Sequence, residues 1–286
     1  MSAAVASKHR PRAIPRPTGA TVGEALDSAI IAISASGSPS SRLDAELLLA
    51  HALGVDRGEL LMHPERLVEG PAVRGFQQLV RRRSIEREPV AYLTGRRGFR
   101  WIELDVDSRV LIPRPETELV VEAVVARAPE GARVVDVGTG SGAIALALRH
   151  ERPDLDVSGS DVSADALAVA RANGERLGLD VSWIEADLVP AGDFDIVASN
   201  PPYVRDGDPL PPDVAAHEPA LALFGGADGL DVIRRLVVAA HPALLVVELG
   251  AGQAPEVERL ARAAGYANAE SLGDLAGIDR VVVAWN

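Results

Sequence analysis

Six short runs of β-branched and apolar residues punctuate the second half of the chain: Val134 to Val137, Val157 to Ser160, Val181 to Ile184, Phe194 to Ser199, Leu244 to Leu249 and Val281 to Ala284. Segments with helical periodicity fall between most of them. Strands separated by helices pair as crossovers rather than hairpins, so the pattern predicts βαβ units and a largely parallel sheet with helices on both faces. The expected fold class is α/β and Rossmann-like. In such a sheet ligands sit beyond the carboxyl ends of the strands, and the loops that follow the runs are where chemistry is to be sought.

The 286 residues are enough for about two domains. Thr21 with Glu24 forms a capping-box pattern, and Val22, Ala25, Leu26, Ala29, Ile30 and Ile33 follow at helical spacing, which predicts a helix that stops near Gly37. A second helix is expected from Ser40 or Ser41 through Leu43, Leu47, Leu48 and Ala50 to Gly54, and a short third over Glu59 to Met62. A fourth, from about Pro71 to Glu86, places Val73, Phe76, Leu79 and Val80 on one face and Arg81, Arg82 and Arg83 largely on the other. From Pro89 the texture changes to Gly95, Gly98, Phe99, Trp101, Leu104, Val106 and Val110, as in a hairpin. Four segments result: a disordered basic arm over 1–20, a small helical bundle over 21–88, a β-hairpin linker over 89–112 and the α/β domain over 113–286.

Charge and composition exclude several classes. There is no cysteine, hence no disulfide framework, no thiolate nucleophile and no cysteine zinc site, and a reducing cytoplasm is the expected location. The six histidines show no metal-ligand spacing, so no metal is expected. No run approaches about 18 apolar residues, so no membrane span is expected. The net charge is −12, yet the first twenty residues carry Lys8, Arg10, Arg12 and Arg16 without an acid, which makes the remainder more acidic still. Such a body repels phosphate backbones, and no stable nucleic-acid complex is expected.

Asp136-Val137-Gly138-Thr139-Gly140-Ser141-Gly142-Ala143 follows the first strand and precedes a helical run. Glycines there let the backbone turn tightly and approach a ligand at a helix amino terminus. Asp161, which ends the next strand, can accept hydrogen bonds from both hydroxyls of a ribose. These residues suit S-adenosylmethionine, but Gly138, Gly140 and Ala143 also satisfy a dinucleotide fingerprint, and a structural glycine turn is a third possibility. A pyrophosphate needs converging amide N–H groups, whereas the amino-acid part of S-adenosylmethionine carries an ammonium that Asp136 could help to hold. After the third strand, Asp187 stands where a methyltransferase carries an acid near the adenine, although a helix cap or a solvated loop acid would place an aspartate there equally well.

The fourth strand leads directly into Asn200-Pro201-Pro202-Tyr203. Two prolines cannot donate to a ladder, so the strand ends and leaves acceptors free. A planar NH2 group is a poor nucleophile, and it must be held with its hydrogens on acceptors and its nitrogen facing the methyl carbon. The Asn200 side-chain oxygen and the Pro201 carbonyl are the candidate acceptors, whose hold strengthens as positive charge grows on the nitrogen. Tyr203 would pack on the planar group.

With these motifs the chain resembles the protein-glutamine N5-methyltransferases that modify peptide chain release factors, over about residues 21–286. The most specific match is Val110-Leu111-Ile112-Pro113-Arg114-Pro115-Glu116-Thr117-Glu118; others are Asp136 to Gly142, Asn200 to Tyr203, Phe224 to Asp231, and Glu248-Leu249-Gly250 with Gln253. The resemblance implies a class I methyltransferase sheet and methyl transfer from S-adenosylmethionine to the glutamine of a Gly-Gly-Gln loop, leaving S-adenosylhomocysteine. It implies that Gly138, Thr139, Gly140, Ser141, Gly142, Asp161, Asp187, Leu188 and Asn200 bind the donor. Asn200, Pro201, Pro202 and Tyr203 would bind the glutamine amide and carry catalysis, and the helical domain would dock the release factor. Arg114, Glu116 and Glu118, stiffened by the prolines at 113 and 115, are expected to shape the substrate or cofactor mouth, with Arg114 and Glu116 contacting substrate; a structural salt bridge to the neighbouring sheet is the alternative. The expected state is a monomer. Two rivals stand beside this reading: an amino-methyltransferase acting on adenine or cytosine of DNA or RNA, for which the arginines between 74 and 100 would form a groove, and a donor-binding sensor without turnover.

Overall fold

The computed structural model describes residues 19–241 and 243–286, so the expected basic arm lies, but for its last two residues, outside the described residues. The chain forms two compact units that meet in sequence at Glu86 and Arg87.

The first unit is helical. Helix α1 (Val22–Ala35) begins as the capping box dictates, with the Thr21 hydroxyl accepting from Glu24 N–H and the Glu24 carboxylate accepting from Thr21 N–H. Helix α2 (Ser41–Leu53) ends at Gly54 in the left-handed conformation, α3 spans Arg57–Met62, and α4 (Pro71–Arg81) runs on into a π-helical turn over Arg82–Glu86. Their apolar faces meet around Leu26, Ile33, Leu48, Leu49 and Phe76. On α2, Leu48 and Leu49 are buried together with Asp44 and Glu46, while Leu43 and Leu47 are exposed. One expectation needs correction. Arg83 is buried rather than solvated: the π-turn rotates it inward, where its Nε donates to Asp44 at 2.8 Å.

The second unit opens with a short helix that the composition did not signal, α5 (Val90–Thr94), and then the expected hairpin of β1 (Arg96–Phe99) and β2 (Ile102–Asp105). After a 3-10 turn over Pro115–Thr117 the α/β body follows. In chain order it consists of α6 (Glu118–Arg127), β3 (Arg133–Val137), α7 (Ala143–Glu151), β4 (Asp156–Asp161), α8 (Ala164–Leu177), β5 (Ser182–Glu185) and β6 (Ile196–Ser199). It continues through α9 (Pro212–His217), α10 (Asp231–Ala240), β7 (Leu244–Glu248), α11 (Ala254–Ala263), β8 (Asn268–Gly273) and β9 (Asp279–Trp285).

The strands form one seven-stranded sheet in the order β5-β4-β3-β6-β7-β9-β8. All neighbours are parallel up to β7, while β9 runs antiparallel between β7 and β8. Strand β8 is an addition to the six expected. Its sequence, Asn-Ala-Glu-Ser-Leu-Gly, is polar because it lies at the sheet edge, where none of its residues is buried. Apolar layers cover both faces: α6, α7 and the hairpin contribute to one, α10 and α11 to the other. The sheet order reverses direction at β3, between β4 and β6, which is where a doubly wound sheet opens its ligand crevice.

Candidate functional site

Register alone brings the motifs together. Val137 at the end of β3 pairs with Ser160 of β4 on one side and Ser199 of β6 on the other. The glycine loop, Asp161 and Asn200 therefore leave the sheet at one level, and they line a cleft of about 320 Å³. Of the expected site residues, Gly138, Gly140, Asp161, Asp187, Leu188, Asn200, Pro201 and Pro202 line it. Val162 and Leu221, both exposed, also line it, as does Arg235, and the sequence did not single these three out.

Four amides of the loop after β3 are engaged within the protein. Gly138, Gly140 and Gly142 all take positive φ, 72°, 55° and 84°, which L side chains rarely adopt. The amides of Gly138 and Thr139 both donate to the Ser160 carbonyl, that of Gly140 to Asp161 Oδ2, and that of Gly142 to the Thr139 carbonyl. Those four N–H groups are already used inside the protein, so the converging donors that a dinucleotide needs are missing from them.

Asp161 accepts from Gly140 N–H through Oδ2 and from Ser163 N–H through Oδ1, each at 2.9 Å. A carboxylate offers about four lone-pair sites, so two remain on the cleft side for a pair of vicinal hydroxyls. Leu188 sits at φ 70°, held by the Ser160 hydroxyl donating to its carbonyl, and so keeps its backbone turned along the cleft wall. Asp187 is exposed and ion-paired with Arg235 at 2.6 Å. A ribose acceptor, apolar surface at Val162, Leu188 and Leu221, and an acid beside them match the polar and flat parts of S-adenosylmethionine.

Other expected residues stand behind the cleft. Thr139 and Ser141 are buried; Thr139 donates to Asp136 Oδ2 at 2.6 Å, and Gly142 caps α7 against Leu146 and Trp183. Asp136 itself corrects an expectation: it is fully buried, takes the Ala145 N–H at the amino terminus of α7, and does not line the cleft, so it braces the loop rather than meeting an ammonium. Burial pushes its carboxyl up to about 7. Arg114 does not line the cleft either. Its guanidinium bonds Glu218 at 2.5 Å, and Glu218 also accepts from Ile112 N–H, so this segment is bolted to the loop after α9. Glu116 is half-buried beside it.

The Asn-Pro-Pro-Tyr segment is fixed at both ends. Asn200 Nδ2 donates to Thr117 Oγ1 at 3.0 Å, and no described residue is found donating to its Oδ1. The Tyr203 hydroxyl donates to Glu248 Oε1 at 3.1 Å, and its carbonyl accepts from Gln253 Nε2 at 3.0 Å. Burial pushes Glu248 up to about 7, against the pull of the Thr117 and Tyr203 hydroxyls. Gly225 lies so close to this segment that a Cβ there would stand 2.5 Å from the Pro202 carbonyl oxygen. Thr117 could have been noticed inside the Pro113 to Glu118 motif; Glu218, a lone acid in a loop, carried no signal.

Three of the arginines between 74 and 100 that a nucleic-acid groove would use are engaged within the protein. In the second unit Arg96 pairs with Asp105, Arg97 donates to the Pro113 carbonyl, and Arg100 bonds Glu151 and Glu122.

Residues 24–95 match the PrmC N-terminal domain and residues 98–215 the methyltransferase small domain. A release factor glutamine methyltransferase of Geobacter sulfurreducens is 40% identical over 272 residues, covering 92% of this chain and 95% of that protein. The chain belongs to the release factor glutamine methyltransferases. Others of that family are equally similar: the Deinococcus radiodurans protein is 39% identical over 91% of this chain and 96% of its own, and that of Mycolicibacterium smegmatis 43% over 76% and 78%. Family membership makes this chain an enzyme and its sheet a class I methyltransferase sheet. In fold, the catalytic domain of hMettl16, solved with an RNA hairpin, superposes with a TM-score of 0.52 at 16% identity, over 76% of this chain and 81% of that one. Among the described residues no helix is long and apolar enough to cross a membrane.

Proposed function

We propose that this enzyme methylates the side-chain amide nitrogen of the glutamine in the Gly-Gly-Gln loop of peptide chain release factors, in the cytoplasm, using S-adenosylmethionine. The observation that carries the reading, beside family membership, is the Asn200 carboxamide: Asn200 lines the cleft, its NH2 donates to Thr117, and its oxygen receives no bond from any described residue. An adenine amine or a carboxamide would fit such an acceptor, and the family points to glutamine.

Bound S-adenosylmethionine supplies an electrophilic methyl carbon beside a sulfonium. The residues of this chain do the rest. Asp161 takes the ribose hydroxyls on its free lone pairs, and Val162, Leu188 and Leu221 pack on the base. Asn200 Oδ1 and the Pro201 carbonyl accept the two amide hydrogens, which aims the nitrogen at the methyl carbon. Transfer of the donor's methyl group to the amide nitrogen would leave the donor sulfur as a neutral thioether and build positive charge on nitrogen; Asn200 Oδ1 and the Pro201 carbonyl would hold that nitrogen more strongly, and one of its protons would then leave to water.

The test is incubation with methyl-labelled donor and, in parallel, a release factor, the same factor with its loop glutamine replaced, DNA and ribosomal RNA. Label on the intact factor alone is the expected result. Label on nucleic acid would overturn the substrate and leave the donor site standing.

A further inference from the structure

The residues that line the donor cleft are held in two ways. Gly138, Asp161 and Asn200 stand where parallel strands end, so the sheet fixes them. Two other lining segments lie outside the sheet: Arg109, Val110 and Leu111 after the hairpin, and Pro219, Leu221 and Ala222 after α9. Each has an anchor of its own. The Tyr92 hydroxyl donates to the Val110 carbonyl at 2.6 Å, and Val204, next to the Asn-Pro-Pro-Tyr segment, donates its N–H to the Leu223 carbonyl at 2.9 Å.

Glu218 joins the two segments. It stands directly before Pro219, while Ile112 stands directly after Leu111. Its Oε2 accepts the Ile112 N–H at 3.1 Å, and its Oε1 accepts from the Arg114 guanidinium at 2.5 Å. The Glu218 side chain is only 1% exposed, so bulk water does not compete for either oxygen. Release of either partner would leave a buried charge poorly matched, which is costly. From the hairpin, Arg97 Nε donates to the Pro113 carbonyl at 3.0 Å and holds the same stretch on another side.

We propose that Glu218 is a positioning residue for the methyl donor: one carboxylate, shared by Ile112 and Arg114, locks the two loops that complete the cleft and so sets donor affinity rather than the rate of transfer. The inference deepens the donor reading above and rests on it. Walls ordered in advance spare a ligand the entropy of ordering them on binding. Without the shared carboxylate, Asp161 and Asn200 stay where the sheet puts them, and only the binding energy contributed by the two loops is lost. Glutamine is no substitute for the acid. Its one oxygen can keep Ile112 or Arg114, and its NH2 then faces the other donor.

The full-length enzyme is compared with its Glu218→Gln, Arg114→Met and Arg114→Lys variants by calorimetric titration with S-adenosylhomocysteine, which needs no methyl acceptor. Kd is expected to rise on the order of tenfold in Glu218→Gln and Arg114→Met, the lower end of what a hydrogen bond to a charged group is worth. Arg114→Lys, which keeps a cation for Oε1, is expected to retain most of the affinity. With a release factor as substrate, the donor KM is expected to rise in step while kcat at saturating donor stays within about threefold, a split that general loosening of the fold would not give. A Kd within about twofold of wild type in either folded variant would overturn the proposal, as would a kcat that falls as far as kcat/KM. Arg114, with 29% of its side chain exposed, carries the test if Glu218→Gln fails to fold. Wild type that binds no S-adenosylhomocysteine would overturn the donor reading and this inference together, whereas wild-type binding that the variants match overturns this inference alone.

Discussion

The Tyr203 hydroxyl donates to Glu248 Oε1 at 3.1 Å, which ties the last residue of the Asn-Pro-Pro-Tyr segment to the last residue of β7. The acid is buried, and burial raises its carboxyl from the usual range to about 7. The folded state therefore holds a proton that the unfolded chain gives up at lower pH. An acid raised in this way contributes stability below its unfolded pKa and loses it as pH rises toward the folded value. Wild type is expected to lose stability relative to Glu248→Gln between about pH 4.5 and 7, with a constant difference above that window. Urea midpoints of both proteins across the range measure it; parallel curves would contradict the raised value.

Asn200→Ala is expected to abolish most turnover, on the order of 10²-fold or more, because a preorganised acceptor is lost where charge develops. Donor affinity measured by calorimetry is expected to stay nearly unchanged, since Asp161 and the apolar wall remain. Turnover within about threefold of the parent would show that Asn200 does not position the amide.

Asp161→Ala should act on the other half of the site. It removes the ribose acceptor and also strands the N–H groups of Gly140 and Ser163. Hydrogen bonds to a charged group are worth about 1.5–3 kcal/mol each, so donor Kd is expected to rise by at least tenfold. Equal donor binding by the variant and the parent would remove Asp161 from the donor site.

Gly225→Ala tests the packing behind Pro202. The added methyl would stand 2.5 Å from the Pro202 oxygen and 2.6 Å from that of Gly229, and neither backbone can give way cheaply. Loss of both activity and melting temperature is expected. Gly98→Ala, in the hairpin, meets nothing within 4 Å and serves as the control, with little change in either.

How much of this was legible in the sequence depended on what each residue answers to. The helix caps at Thr21 and Gly54 obey local rules, and both stand where expected. The parallel strands were visible because burial on two faces demands unbroken Val, Ile and Leu. Strand β8 escaped because an edge strand needs no such run. Asp136 was misjudged for a related reason: its neighbours in sequence, Val137 and Gly138, belong to the ligand loop, yet its side chain serves the amino terminus of α7. The motifs located Asn200 and Asp161, but not what orients them. Thr117 lies 83 residues before Asn200 in the chain, and only the completed fold makes them neighbours.

The place of β9 between β7 and β8 has a consequence for the order in which the chain can become an enzyme. A polypeptide emerges from its amino end, and β3, β4 and β6 can align as soon as they are made. Strand β7, whose last residue is Glu248, pairs with β6 on one side, but its other partner is residues 279–285, with Glu248 opposite Val281. Until those residues are synthesised, β7 has no partner on that side. The strands around the cleft can thus align before the sheet is complete, while β7 gains its second neighbour only once β9 has been inserted between it and β8.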